Sequence, residues 1–191
     1  MSNVLAACAI ADTLGVSIKA MREVLTTFDG VEHRLELVDE VKGVRYYNDS
    51  IATSPERLIA ALKAFDEPIV LIAGGRDKHL PWDEAAYLML QRARHIILFG
   101  ESVELIAAAI EAKNNKLETD NGKVAINNRP MLHRCVTLED AVAVAAQVAR
   151  PSDVVLLSPG CTSFDAFQDF AERGERFRQY VKRLAAGGGM I

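Results

Sequence analysis

Three hydrophobic patterns succeed one another along the chain. From Val4 to Leu14 the sequence is apolar and Ala-rich, which predicts a helix, and Gly15 is placed to end it. Ser17 then occupies an N-cap position. Ile18, Met21, Val24, Leu25 and Phe28 follow at the spacing of one face of a second helix. After Asp29-Gly30 the pattern turns toward alternation. Leu35, Leu37, Val38 and Val41, a turn at Lys42-Gly43, and Val44 to Tyr47 predict a β-hairpin.

The third pattern consists of short, unbroken apolar runs at Ile69 to Ala73, Ile96 to Phe99 and Val154 to Leu157. Runs without alternation suit strands buried on both faces of a parallel sheet. Amphipathic segments at about Pro55 to Phe65, Trp82 to Arg92, Val103 to Ala112 and Leu138 to Val148 predict helices between and beside them. The Asn- and Lys-rich stretch Lys113 to Pro130 reads as an exposed excursion, followed by a further strand near Leu132 to Val136. This order predicts an α/β fold, a mostly parallel sheet with helices on both faces. The helical pair before Asp29-Gly30 has no sheet and is too small to enclose a core. The division expected is therefore residues 1–30 as the tail of a preceding domain and 31–191 as the α/β domain.

Composition narrows the function classes. At 191 residues, half of them apolar and a quarter charged, the chain is an ordinary globular domain plus a short segment. A net charge of -4, with scattered Lys and Arg, excludes a field that would gather nucleic acid or an anionic membrane. Cys8, Cys135 and Cys161 form no CxxC pair, so neither a disulfide framework nor a zinc site is expected, and a reducing cytoplasm fits. The run from Val4 to Val16 is short, interrupted by Asp12 and without a basic leader, which excludes a signal peptide or a membrane span.

In open parallel sheets ligands bind beyond the carboxyl ends of the strands, and three segments there carry chemistry. Asn48-Asp49-Ser50-Ile51-Ala52-Thr53-Ser54-Pro55 leads a strand into a helix with Ser54 as N-cap and Pro55 as first residue. Asp49 and Thr53 add an acceptor and a hydroxyl, although a capped helix start alone accounts equally well for this stretch. Gly74-Gly75-Arg76-Asp77-Lys78 allows a tight turn with cations that reach an anion, or simply a solvated turn. It is no P-loop, because His79 follows Lys78. Leu157-Ser158-Pro159-Gly160-Cys161-Thr162-Ser163-Phe164-Asp165 leads toward a helix bearing Phe167 and Phe170, whose start would be crowded with hydroxyls and N–H groups. Gly160 and Ser163 do not form a nucleophile elbow, and Cys161 reads as a buried small residue. His33-Arg34 falls at the expected boundary, where a residue can touch a ligand lying between domains, or stand exposed without a role.

Together these motifs resemble the Mur ligase family, in particular its D-glutamate-adding members. The likeness rests on Asn3, Glu32-His33-Arg34, Asn48-Asp49-Ser50 with Ala52-Thr53, Gly74-Gly75 with Lys78, and Leu157-Ser158-Pro159 through Cys161, Ser163-Phe164-Asp165, Phe167, Phe170 and Arg173-Gly174 to Phe177. It implies a Rossmann-like carboxy-terminal domain preceded by the end of a central ATPase domain. It further implies an ATP-dependent amide-forming ligase that adds D-glutamate to UDP-N-acetylmuramoyl-L-alanine in peptidoglycan synthesis. Lys78, Thr53, Ser163, Phe164 and Phe170 would hold D-glutamate. Asn3, Arg34 and Asp49, with His33 beside them, would meet the nucleotide. No metal ligand is expected in the chain. The P-loop, the magnesium-binding residues and a carbamylated lysine would lie before Met1, so this chain alone is expected to be inactive and to hold neither ATP nor Mg2+ tightly. Ile51 stands where many relatives carry a lysine, and that lysine's contact does not transfer. The rival readings are another Mur ligase, a folylpolyglutamate synthetase, or a free-standing α/β module that binds an acidic metabolite or nucleotide.

Overall fold

A computed structural model describes residues 2–28, 30–119 and 129–187. It separates into two compact units, residues 1–31 and 32–191. The expected boundary at Asp29-Gly30 falls within two residues of this division, with Asp29 itself outside the described residues.

In the first unit, α1 (Ser2–Thr13) and α2 (Ile18–Thr27) are separated by Gly15 at φ 75°. Ser17 caps α2 by accepting from the Ala20 N–H at 3.3 Å. None of the described side chains of this unit is buried. Val4, Leu5, Ile10, Ile18, Val24 and Phe28 are all exposed, so the pair encloses no core of its own.

The second unit is a six-stranded sheet in the order β1-β2-β6-β3-β4-β5. The antiparallel hairpin of β1 (Glu36–Val41) and β2 (Val44–Asn48) turns at Lys42-Gly43, both in the left-handed region. The remaining strands, β3 (Ile69–Gly74), β4 (Ala93–Phe99), β5 (Met131–Arg134) and β6 (Val154–Gly160), are parallel to their neighbours. Every residue of β3 and β6 is buried, as unbroken apolar runs require. One face of the sheet is covered by α3 (Pro55–Leu62), α4 (Asp83–Arg92) and α5 (Val103–Thr119), with Leu58, Trp82, Met89 and Ile106 in that core. The other is covered by α6 (Leu138–Val148) and α7 (Phe170–Ala185), with Phe99, Val142 and Phe177 between them. The α/β sheet with helices on both faces is thus as expected.

Three local expectations are corrected. Lys113 to Thr119 does not leave the fold but continues α5. Lys113 Nζ sits 5.3 Å from the Tyr87 ring centre and Leu117 packs against the core, so tertiary contacts hold a segment of weak helical propensity. The rest of the expected excursion, residues 120–128, lies outside the described residues. Next, α3 ends at Leu62, three residues early, because the Lys63 and Ala64 N–H groups tighten the last turn, yet Phe65 still reaches the core. Finally, residues 161–169 form a loop rather than a helix start. The helix begins only at Phe170, where Asp169 accepts from the Glu172 N–H at 2.8 Å.

Candidate functional site

The carboxyl ends of β2, β3 and β6 bring the three segments together. Their floor is organised by Arg173, on the first turns of α7 and fully buried. Its Nε donates to Ser50 Oγ at 3.0 Å, Nη2 to the Ser50 and Cys161 carbonyls at 2.9 and 3.1 Å, and Nη1 to the Thr162 carbonyl at 3.1 Å. One guanidinium therefore ties the loop after β2 to the loop after β6. Burial pulls its pKa down to about 10. Asp165 supplies the opposing charge felt there, and its own Oδ1 is buried without a hydrogen-bond partner. The Ser50 hydroxyl in turn donates a hydrogen bond to the Phe170 carbonyl at 2.7 Å, so the start of α7 is fixed to the same centre.

Asn48, Asp49 and Ser50 are all buried at the end of β2. Asp49 accepts from Ser158 Oγ at 2.9 Å and from the Leu35 N–H at 3.2 Å. Burial pushes its carboxyl up to about 6, and these hydrogen bonds together with Arg34 and Arg57 only partly offset that. Asp49 borders a pocket of about 210 Å3 that Arg34 and Arg57 also line. Two guanidinium groups and a carboxylate around an open pocket suit phosphate and hydroxyl groups. The His33 ring, expected to stand beside the nucleotide, is buried, with Nδ1 2.9 Å from Asn48 Nδ2. A β-carbon on Gly174 would lie 2.3 Å from that ring nitrogen, so glycine is required there for α7 to approach.

The rim is formed by the other two loops. Lys78 Nζ donates to Thr53 Oγ1 at 3.2 Å, bringing together two of the residues expected to hold an amino acid, and Lys78 remains exposed. Arg76 and Thr162 exchange backbone hydrogen bonds of 3.0 and 2.9 Å, and the Gly160 N–H donates to the Ala52 carbonyl at 2.8 Å. These bonds make the segments around Thr53, Lys78 and Ser163 one contiguous rim. Gly75 permits the approach, since its β-carbon would lie 2.2 Å from the Thr162 carbonyl oxygen. Ser163 is buried, and its carbonyl accepts from the Ala166 and Phe167 N–H groups in a turn. Phe164 and Phe170 are 60% and 36% exposed, placing two aromatic faces at the edge of the loops. Cys161 is fully buried and burial pushes its thiol up to about 11, which removes it as a nucleophile. Asn3 belongs to the first unit, on α1.

With this arrangement in view, the likeness to known proteins becomes specific. The model of the Mur ligase glutamate ligase domain matches residues 33–161, which span all three loops through Cys161. The chain belongs to the Mur ligase family. It is 42% identical over 88% of its length to a UDP-N-acetylmuramoylalanine–D-glutamate ligase of Clostridium perfringens, of which the match covers 35%. It is 43% identical over 96% of its length to the ligase of the same name from Symbiobacterium thermophilum, covering 37% of that protein. The chain thus spans about a third of the length of the curated relatives it matches. Among solved structures, a murein peptide ligase from Psychrobacter arcticus superposes with a TM-score of 0.59 at 20% identity, over 99% of this chain and 36% of the other. A MurF ligase from Thermotoga maritima in complex with ADP gives 0.58 at 19%, covering 97% and 38%. These two establish the fold alone.

Two residues of this candidate site were not singled out by sequence reasoning as site residues. Arg173 was noted only as part of the family pattern, and nothing local marks an exposed-looking helical arginine as buried. Arg57 left a usable signal. It sits in the first turn of α3, where a cation opposes the positive end of the helix dipole, so another interaction has to hold it. It lines the Asp49 pocket across from Ile51, whose carbonyl its Nη1 reaches at 3.4 Å.

Proposed function

We propose that this chain is the amino-acid-presenting part of an ATP-dependent ligase that joins D-glutamate to UDP-N-acetylmuramoyl-L-alanine in peptidoglycan synthesis. The observation that carries this reading is the Lys78–Thr53 contact on a rim shared by three strand-end loops, in a chain 42% identical to a ligase named for D-glutamate. Residues 1–31, which enclose no core of their own, are read as the end of the central ATPase domain.

In this reading ATP transfers its γ-phosphoryl group to the UDP-sugar's alanyl carboxylate, giving an acyl phosphate and ADP. The D-glutamate amine then forms a bond to the acyl carbon. The resulting tetrahedral intermediate collapses by breaking the carbon–oxygen bond to phosphate, and the amine gives up a proton. Lys78 and Thr53 hold a carboxylate of D-glutamate by a charged and a hydroxyl donor, while the Ser163 loop with Phe164 and Phe170 bounds the rest and leaves the amine open. Arg34, Arg57 and Asp49 meet the phosphates and ribose of the nucleotide, and Asn3 its base. His33 positions Asn48 and α7 rather than touching a ligand. Among the described residues no three His, Cys, Asp or Glu side chains converge. In this reading Mg2+ accompanies ATP in the complete enzyme, and this chain's residues act on the amino acid and the nucleotide.

The test is the Lys78→Ala variant of the complete ligase, assayed for amide formation. Its KM for D-glutamate is expected to rise about tenfold or more, with the KM for ATP little changed. An unaltered D-glutamate KM sinks the assignment of Lys78, and failure of the complete wild-type enzyme to use D-glutamate sinks the function.

A further inference from the structure

The opposite edge of the sheet, where β3, β4 and β5 begin, holds a second pocket of about 540 Å3. Arg92 in the last turn of α4, Arg94 and His95 at the start of β4, Arg129 ahead of β5, and Arg150 between α6 and β6 all line it. In a chain of net charge -4, four guanidinium groups around one pocket are a local concentration and not a general property of the surface.

Part of this positive charge serves the fold. Arg92 donates to the Phe65 carbonyl, just past the end of α3. Arg94 Nη1 donates at 2.9 Å to Asp153, a buried carboxylate that also accepts from the Arg150 backbone N–H at 2.8 Å. The Arg150 guanidinium makes no hydrogen bond or ion pair among the described residues and stands exposed. The carboxyl ends of α4 and α6 face this edge as well. Burial first, then His133, Arg94 and Arg150, hold the His95 pKa below the ordinary imidazole value, against Asp153 alone in the other direction. The His95 and His133 rings meet at 3.1 Å.

We propose that this pocket is an oxyanion site for a phosphate or diphosphate group, separate from the loops at the carboxyl edge. Its chemistry is that of guanidinium groups lining one pocket, a donor type that matches the tetrahedral oxygens of phosphate, and its volume admits more than a single ion. Nothing in this assignment depends on D-glutamate ligation.

The two histidines provide the readout. The 191-residue chain is titrated with inorganic phosphate, pyrophosphate and UDP while the imidazole resonances of its four histidines are followed by NMR. Saturable shifts are expected for His95 and His133, and none for His79, which lies in segment 74–79 beyond the other edge. Pyrophosphate binding tighter than phosphate assigns a diphosphate site, and UDP matching pyrophosphate assigns a nucleotide source. Arg150→Glu should weaken the binding about tenfold or more with little change in melting temperature, because among the described residues its guanidinium makes no hydrogen bond or ion pair. Lys78→Ala should leave it unchanged. The proposal is overturned if no anion shifts His95 and His133, or if the shift survives Arg150→Glu and disappears in Lys78→Ala.

Discussion

The floor and the rim of the carboxyl-edge site are built from similar residues under opposite constraints. Arg173 on the floor is fully buried and its donors are taken up by Ser50, Cys161 and Thr162. Lys78 on the rim is exposed and, among the described residues, bonds only the Thr53 hydroxyl. A buried cation held by four hydrogen bonds stabilises loops, whereas an exposed one with a single weak partner is free to change partner when an anion arrives. The difference teaches where to look for ligand contacts: at the polar groups that the fold does not already use.

The sharpest way to break this comparison is to remove the floor. Arg173→Ala removes the guanidinium donor from the Ser50, Cys161 and Thr162 carbonyls and the Ser50 hydroxyl, of which, among the described residues, the Thr162 carbonyl alone keeps a second donor, the Arg76 N–H. The substitution is expected to lower the unfolding free energy by about 3–5 kcal/mol in urea denaturation. A loss below about 1 kcal/mol would mean that water replaces the guanidinium and that the loops are held otherwise.

Asp49 lies between the two classes and is expected to show the next effect. Its folded-state carboxyl sits near 6, above the ordinary 3.8, so the native state holds this proton more tightly than the unfolded chain does. Stability contributed by the protonated form is present at low pH and is lost as pH rises from about 4 to about 6. Asp49→Asn, which keeps an acceptor for Leu35 and a polar partner for Ser158, should therefore be more stable than the parent by about 2–3 kcal/mol at neutral pH. That advantage should vanish below about pH 4. Equal stabilities across this range would show that the carboxylate is better solvated than its burial indicates.

At the rim the effect on stability should be smallest. Lys78→Ala is expected to change the unfolding free energy by no more than about 0.5 kcal/mol, while weakening D-glutamate use as described above. A large stability loss would move Lys78 to the floor and remove the contrast.

Much of the framework could be read before the fold. The apolar runs at 69–73, 96–99 and 154–157 carry their own evidence of double-sided burial, and the polar residues that follow them have to lie at strand ends. Asp49, Thr53, Lys78 and Ser163 were legible for that reason. The loop at 161–169 was misread because hydroxyl-rich residues before Phe167 and Phe170 suit a helix start and a turn alike. The choice fell to Asp169, which caps the helix so that it includes Phe170 and leaves Phe167 in the loop. His33 was placed by its neighbour in sequence, yet its direction depends on Asn48 and on the bare backbone of Gly174.

By itself, then, the sequence determined the type and order of the elements, because periodicity and turn residues act over a few positions. It also determined that polar chemistry follows each buried strand. Only the tertiary structure decided the order β1-β2-β6-β3-β4-β5, the gathering of arginines at the amino edge, and the burial of Arg173 against Ser50, 123 residues earlier in the chain. Such choices rest on hydrogen bonds and charges between segments far apart in sequence, whose partners exist only once the sheet has brought its strands side by side.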